Sequence, residues 1–167
     1  MFIKQYIKEL LYLHECVTIP NFGAFLTHSI GASVHYENGD FDPPQKRIGF
    51  NGLLKNNDGV LAHYMARKEN SSYEKALRTI EKEVITWKQK LNTQNLIFVG
   101  IGEMKLTIDR KIEFFPSRQI NFDLNSFGLI SFKRSPIKKT ISSSENKNLF
   151  HMENQTKEDL MFTPEEK

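Results

Sequence analysis

Two stretches of the chain interrupt an apolar strand pattern in the same unusual way. "VTIPNFGAFL" (17–26) alternates like a strand yet holds Pro20 and Gly23, and "LIFVGIGEMKL" (96–106) does the same with Gly100 and Gly102. Neither residue suits a strand interior, because Pro has no N–H for the ladder and Gly has no side chain to pack. Aligned, Phe22-Gly23-x-Phe25 meets Ile101-Gly102-x-Met104 at an offset of 79. Further on, Pro44-x-x-x-Ile48-x-Phe50 meets Pro116-x-x-x-Ile120-x-Phe122 at an offset of 72, so the second hairpin is expected to be seven residues shorter than the first. Two motifs recurring in one order point to a duplicated supersecondary unit. Each unit reads as a helix, a Gly-kinked strand, a hairpin, a Pro-led return strand and a short apolar segment.

The remaining pattern fits around this repeat. Ile3, Ile7, Leu10 and Leu11 recur at helical spacing and predict an amphipathic helix ending near His14. Between Thr27 and Pro44, Asn38-Gly39 marks a hairpin, since both positions accept positive φ. Val60, Leu61, Tyr64 and Met65 share one face of a helix over 58–70. Ser71 with Glu74 predicts a capping box, followed by a long helix through Leu77, Ile80, Val84, Trp87 and Leu91. Strands then follow from residue 96, with a turn at Asp109-Arg110 and a return over 111–122. "LNSFGLISF" fits a short helix or an edge strand. From Lys133 the chain is polar and Ser-rich without sustained periodicity, and it reads as a disordered tail.

Composition sets outer bounds. Apolar residues make up 39% of the chain, below the usual ~45–50%, in keeping with an unpacked tail. Net charge is +3, mildly basic, which permits a polyanionic partner without requiring one. Cys16 is the only cysteine, so no disulfide framework exists, as suits a reducing cytoplasm. Met1 leads into a charged amphipathic stretch rather than a signal peptide, and no apolar run approaches the ~18–20 residues of a membrane span. The expectation is a soluble cytoplasmic protein.

A capped helix pair, then "VGIGEM", then Pro-x-x-x-Ile-x-Phe resembles the HU/IHF family, in which two helices precede a Gly-φ-Gly strand and a β-arm that grips DNA. Residues 58–132 look like one complete unit, residues 1–57 like a unit without its first helix, and 133–167 like a tail. The tandem order, with "ELLYLHECVTIPNFGAF" and "FNGLLKNNDGVLAHYMA", is similar to the bacterial HU-like domains related to coiled-coil-domain-containing protein 81. The resemblance implies an α+β fold in which two units pack as an intramolecular pseudo-dimer, monomeric in solution. It also implies the cytoplasmic part of a membrane-anchored protein with a C-terminal SPOR domain. In such a fold Gly23 and Gly102 would let one continuous strand bend. Pro20, Phe22, Phe25, Pro44, Ile48, Phe50, Gly100, Ile101, Pro116, Ile120 and Phe122 complete the structural motif.

The arms depart from the family's DNA grip, which relies on long basic arms that wedge a proline between base steps. The first arm, Thr27 to Pro44, has no Lys or Arg and carries Glu37, Asp40 and Asp42, a formal −3 that phosphates would repel. The second is short, with Lys105, Arg110, Lys111 and Arg118 against Asp109 and Glu113. A basic patch of Lys46, Arg47, Lys105, Arg110, Lys111 and Arg118 beside Phe114-Phe115 is the candidate nucleic-acid surface. The competing reading is an ordinary solvated sheet face.

No enzyme or cofactor signal accompanies these features. Gly100-Ile101-Gly102 lacks the third glycine of a dinucleotide loop and precedes a strand. His14-x-Cys16 lacks further ligands at metal spacing, Asp40 and Asp42 lack the other oxygens of a calcium loop, and no nucleophile comes with a base. The reading is a non-enzymatic module without cofactor or metal, acting on a protein partner, with duplex DNA as the second candidate. A membrane enters only if an apolar span follows, in which case Lys133, Arg134, Lys138 and Lys139 would lie beside an anionic leaflet.

Overall fold

The structure, a computed structural model, describes residues 2–118 and 120–135. Helix α1 (Ile3–Leu13) forms because Ile3, Ile7, Leu10 and Leu11 line one face, and all four are buried. It stops where His14 turns extended, its N–H still donating to the Leu10 carbonyl. Strands β1 (Cys16–Ile19), β2 (Gly23–Ile30) and β5 (Gln45–Asn51) follow as an antiparallel sheet in the order β1-β2-β5. Helices α2 (Val60–Lys68) and α3 (Tyr73–Leu91) then lead to β6 (Leu96–Phe98), β7 (Gly102–Leu106) and β8 (Ile112–Pro116), in the matching order β6-β7-β8.

The duplication is visible atom by atom at the glycine motifs. Ile19 pairs with Gly23 and Phe98 with Gly102. The Phe22 N–H donates to the Ile19 carbonyl at 3.0 Å, and the Ile101 N–H to the Phe98 carbonyl at 2.9 Å. Asn21 and Gly100, also 79 apart, are both left-handed, with φ of 60° and 79°. The expected single bent strand is therefore a correction: the chain reverses completely through three residues, giving two antiparallel strands. A left-handed residue at the centre of the loop is what turns it back.

The second half of the expected repeat alignment is also corrected. Phe25 pairs with Phe50, and its counterpart Met104 pairs with Phe114, so the residue equivalent to Phe50 is Phe114 and not Phe122. The true offset on the return strand is 64, which makes the second hairpin fifteen residues shorter. The return expected over 111–122 ends at Pro116. Pro116, Ile120 and Phe122 instead run back towards the first unit. There the Asn121 side chain accepts from the Lys46 N–H at 3.0 Å and donates to the Pro44 carbonyl at 2.9 Å. Phe122 is buried against Tyr12, ring centroids 4.7 Å apart.

One core holds both units. Phe22 meets Trp87 at 5.5 Å, and Phe25 meets Phe98 and Phe114 at 5.3 and 5.4 Å, all in the edge-on geometry that aromatic pairs favour. Phe22 and Ile101 belong to the same buried cluster. Polar contacts close the seam: the Tyr64 hydroxyl of α2 donates to Glu9 of α1 at 2.6 Å, and the Lys4 ammonium donates to the Ile97 carbonyl at 2.6 Å. Helix α3 is capped by Ser72 rather than Ser71, its hydroxyl accepting from the Lys75 N–H at 3.3 Å. The Glu74 of the expected box therefore falls one position too early to reach back.

The first arm extends the β2–β5 ladder outward. β3 (Ser33–His35) and β4 (Asp40–Asp42) pair beyond a break where Gly31-Ala32 face Pro43-Pro44, whose missing N–H groups interrupt the ladder. A 3₁₀ turn (Leu124–Ser126) and a short strand β9 (Phe132–Lys133) complete the described chain. "LNSFGLISF", expected as a short helix or an edge strand, opens in the 3₁₀ turn and ends on the first residue of β9. β9 pairs antiparallel with β4, Asp40 opposite Lys133 and Phe41 opposite Phe132. Lys133 and Arg134, expected to open the tail, are thereby part of the folded body, and the rest of the expected tail, 136–167, lies outside the described residues. No helix among the described residues is long and apolar enough to cross a membrane.

Candidate nucleic-acid and protein interface

The candidate basic residues separate into two groups. Lys46 and Arg47 come from β5, and Arg118 follows β8. All three line a cleft of about 460 Å³, between the Pro44 segment of unit 1 and the Pro116 segment of unit 2. Asn121 also lines it, bonded to the Lys46 N–H in β5 and to the Pro44 carbonyl just before that strand. Neighbours on a strand point to opposite faces, so Lys46 is half-buried beside Ile48 while Arg47 is exposed. The cleft is not uniformly basic. Asp42 shares its wall, and Asp123 is near enough for Lys46 to help lower its pKa, after the larger effect of the Ser126 hydroxyl that donates to it at 2.6 Å.

Lys105, Arg110 and Lys111 are elsewhere, on the β7–β8 hairpin. The Lys105 ammonium lies over the Phe115 ring, 5.1 Å from its centroid. Arg110 occupies the left-handed position of the turn, φ 57°, and lines a groove with Ile85, Leu91 and Ile112 at the end of α3. The hairpin closes in a tight turn, the Thr107 N–H donating to the Lys111 carbonyl at 2.8 Å. Of the aromatic pair expected beside the patch, Phe114 packs into the shared core and only Phe115 faces outward.

The first arm is not a free finger. Phe132 stacks on Phe41 with centroids 4.8 Å apart and planes 3° apart. The Lys133 ammonium is 3.5 Å from Asp40, the Ser131 hydroxyl donates to Asp42 at 2.7 Å, and the Arg134 N–H donates to the Gly39 carbonyl at 2.8 Å. The Ser131 hydrogen bond, with a smaller part from His35 at 3.2 Å, holds the Asp42 carboxyl below its ordinary range. A four-residue stretch thus covers the arm's outer edge and binds two of its three acids. Sequence reasoning missed this clamp, and also missed Asn121. The available signal was the alternation Ser131-Phe132-Lys133, a polar–apolar–basic triplet matched to Asp40-Phe41-Asp42.

Among the described residues no group of His, Cys, Asp or Glu side chains is gathered to hold a metal. No curated protein and no solved structure matches the chain. Two family models do match it. The CCDC81-like prokaryotic HU domain 1 covers residues 1–58, and the CCDC81-like prokaryotic HU domain 2 covers residues 59–127. With both domains present in their numbered order, a shared core and the duplicated glycine turn, the chain belongs to the CCDC81-like prokaryotic HU family.

Proposed function

We propose that this chain is a non-catalytic assembly module that works through protein contacts, a tandem HU-like body whose groove-gripping arms have been put to another use. One observation carries the reading. The longer arm is acidic and bound along its edge by the chain's own β9, with Lys133 on Asp40 and Ser131 on Asp42. An arm that enters a minor groove must be basic, extended and free at its tip. The other arm, β7–β8, ends in a turn of a few residues and is too short to follow a groove. With seam and core both internal, a single copy has no need of a second one to complete its fold. We place the module in the cytoplasm, at the inner face of the envelope, by its resemblance to the N-terminal parts of SPOR-type proteins.

A second reading has its own support. Lys46, Arg47 and Arg118 all line one cleft, and a strand of phosphates is one ligand that such cations would attract. The two readings separate in a gel-shift and anisotropy series on duplex DNA of about 30 base pairs at low salt. The protein-contact reading expects no saturable binding and no change in the Arg47→Glu/Arg118→Glu double variant. Saturable binding that weakens steeply with salt and disappears in that variant would overturn it.

A further inference from the structure

The two units are not equally covered. Helix α2, the first helix of unit 2, packs against α1, α3 and the β1 strand of unit 1. Among the described residues no counterpart of α2 precedes α1 in unit 1. The strand that such a helix would meet is β6, the counterpart of β1. The consequence shows in equivalent positions 79 residues apart. Thr18 and Pro20 are buried, whereas Ile97 is 58% exposed and Val99 81% exposed. Two apolar side chains thus stand in solvent at the places where their duplicates are covered.

These residues border a real depression. Ile97, Val99, Gly100, Phe115 and Pro116 line a hollow of about 420 Å³ on the outer side of the second sheet. Its frame is basic. Lys4 reaches across to the Ile97 carbonyl at 2.6 Å, Lys105 lies over Phe115, and the Lys8 ammonium is close enough to Gly100 that an added Cβ would be 3.1 Å from it. Glu103 is the one carboxylate lining the hollow, and the Asn95 amide donates to it at 2.5 Å.

We propose that this face of β6 accepts an amphipathic helix from a partner protein, one with an apolar stripe and acidic flanks, which takes on β6 the place that α2 takes on β1. The apolar stripe meets Ile97, Val99 and Phe115, as α2 meets β1 through a face that buries Leu61, Ala62, Met65 and Ala66. The acidic flanks answer Lys4, Lys8 and Lys105. This is groove recognition of a helix read at i, i+4 spacing. The proposal rests on the protein-contact reading above and names where and with what chemistry that contact is made.

The test uses the full chain and a labelled peptide of about 18 residues, long enough to hold a helix. The peptide keeps the Leu-Ala-x-x-Met-Ala spacing of α2 and carries Glu at its remaining positions. A second peptide carries Lys instead, and a third has a central proline. Fluorescence anisotropy is expected to show saturable binding of the Glu peptide alone. Val99→Glu should weaken it by about tenfold or more, as loss of an interface anchor does. Lys8→Glu/Lys105→Glu should weaken it several-fold and flatten its salt dependence. Because Val99 is exposed, the melting temperature of Val99→Glu is expected to equal that of the parent, and Ile97→Gln serves as the second variant if it does not. Absence of binding, equal binding of the Lys peptide, or binding untouched by both apolar variants would overturn the proposal. So would a concentration-dependent dimer abolished by Val99→Glu, which would assign the face to a second copy. Binding lost in Arg47→Glu/Arg118→Glu and kept in Val99→Glu would overturn this site while leaving the protein-contact reading in place.

Discussion

Gly23 and Gly102 occupy the same position in the two halves of the molecule, first residue after the turn, with φ of 152° and 157°. Each is pressed against its return strand. A Cβ at Gly102 would lie 2.4 Å from the Phe115 carbonyl oxygen, and one at Gly23 would lie 2.8 Å from that of Asn51 and 2.4 Å from the Phe50 ring. Backbone oxygens tied into a ladder cannot retreat, so the space for a methyl group must come from breaking the pairing. Gly102→Ala is expected to cost about 2–4 kcal/mol by urea denaturation, and Gly49→Ala, where nothing lies within 4 Å, less than about 0.5 kcal/mol. Equal stability of the two variants would remove steric necessity as the reason for the repeated glycine.

A shared core predicts shared unfolding. Trp87 is the only tryptophan and belongs to unit 2, yet it packs edge-on against Phe22 of unit 1. Its fluorescence therefore reports on both units. Fluorescence and far-ultraviolet circular dichroism are expected to trace one coincident transition in urea. Phe25→Ala, which empties a site in contact with Phe98 and Phe114, should shift both signals together by about 3–5 kcal/mol. Separate midpoints would mean that the halves fold independently.

What could be read from the sequence was decided by the range of the interactions involved. Helices α1 and α3 were legible because Ile3, Ile7 and Leu10, or Ile80, Val84 and Trp87, declare their face within a few turns. The 79-residue offset was legible because a tight turn constrains each of its own residues. The 72-residue offset misled because Pro-x-x-x-Ile-x-Phe requires only alternate apolar residues, which any segment skirting a core satisfies. Strand register is set by cross-strand partners such as Met104 and Phe114, and no local pattern records them. The same limit hid the clamp, since Asp40 and Lys133 are 93 positions apart. It also hid the split of the basic residues, whose faces depend on which strand each one joins.

The clamp makes a prediction about the arm. Two paired residues in β9 depend on the Phe41–Phe132 stack and the Lys133–Asp40 contact for their place. Phe132→Ala with Lys133→Glu removes both and sets like charges opposite each other, which destabilises a cross-strand pair. Limited proteolysis is expected to cut the variant within 31–44 severalfold faster than the parent, while the melting temperature of the body changes by less than about 3 °C, because no core residue is touched. An unchanged cutting rate would show that the arm holds its shape without β9.

Asp42 ties this clamp to pH. Its carboxyl is held below the ordinary value of 3.8, chiefly by the Ser131 hydroxyl and then by His35. A carboxyl whose folded pKa is depressed binds fewer protons folded than unfolded across that interval. Its contribution is therefore complete above the ordinary aspartate range and is lost as pH falls through the depressed value. The same carboxyl, once protonated, no longer offers Ser131 a charged acceptor, so the loss is local to the arm. Hydrogen exchange at the Gly39 and Arg134 amides, which bond to His35 and Gly39, is the direct readout. After correction for the intrinsic rate, their protection is expected to fall between about pH 5 and about pH 2, while that of the Ile101 amide at the core turn stays level. In Asp42→Asn the amide oxygen can still accept from Ser131 but cannot titrate, so protection should be lower at neutral pH and flat across the acid range. A parent and a variant that lose protection in parallel would place the acid sensitivity in some other group.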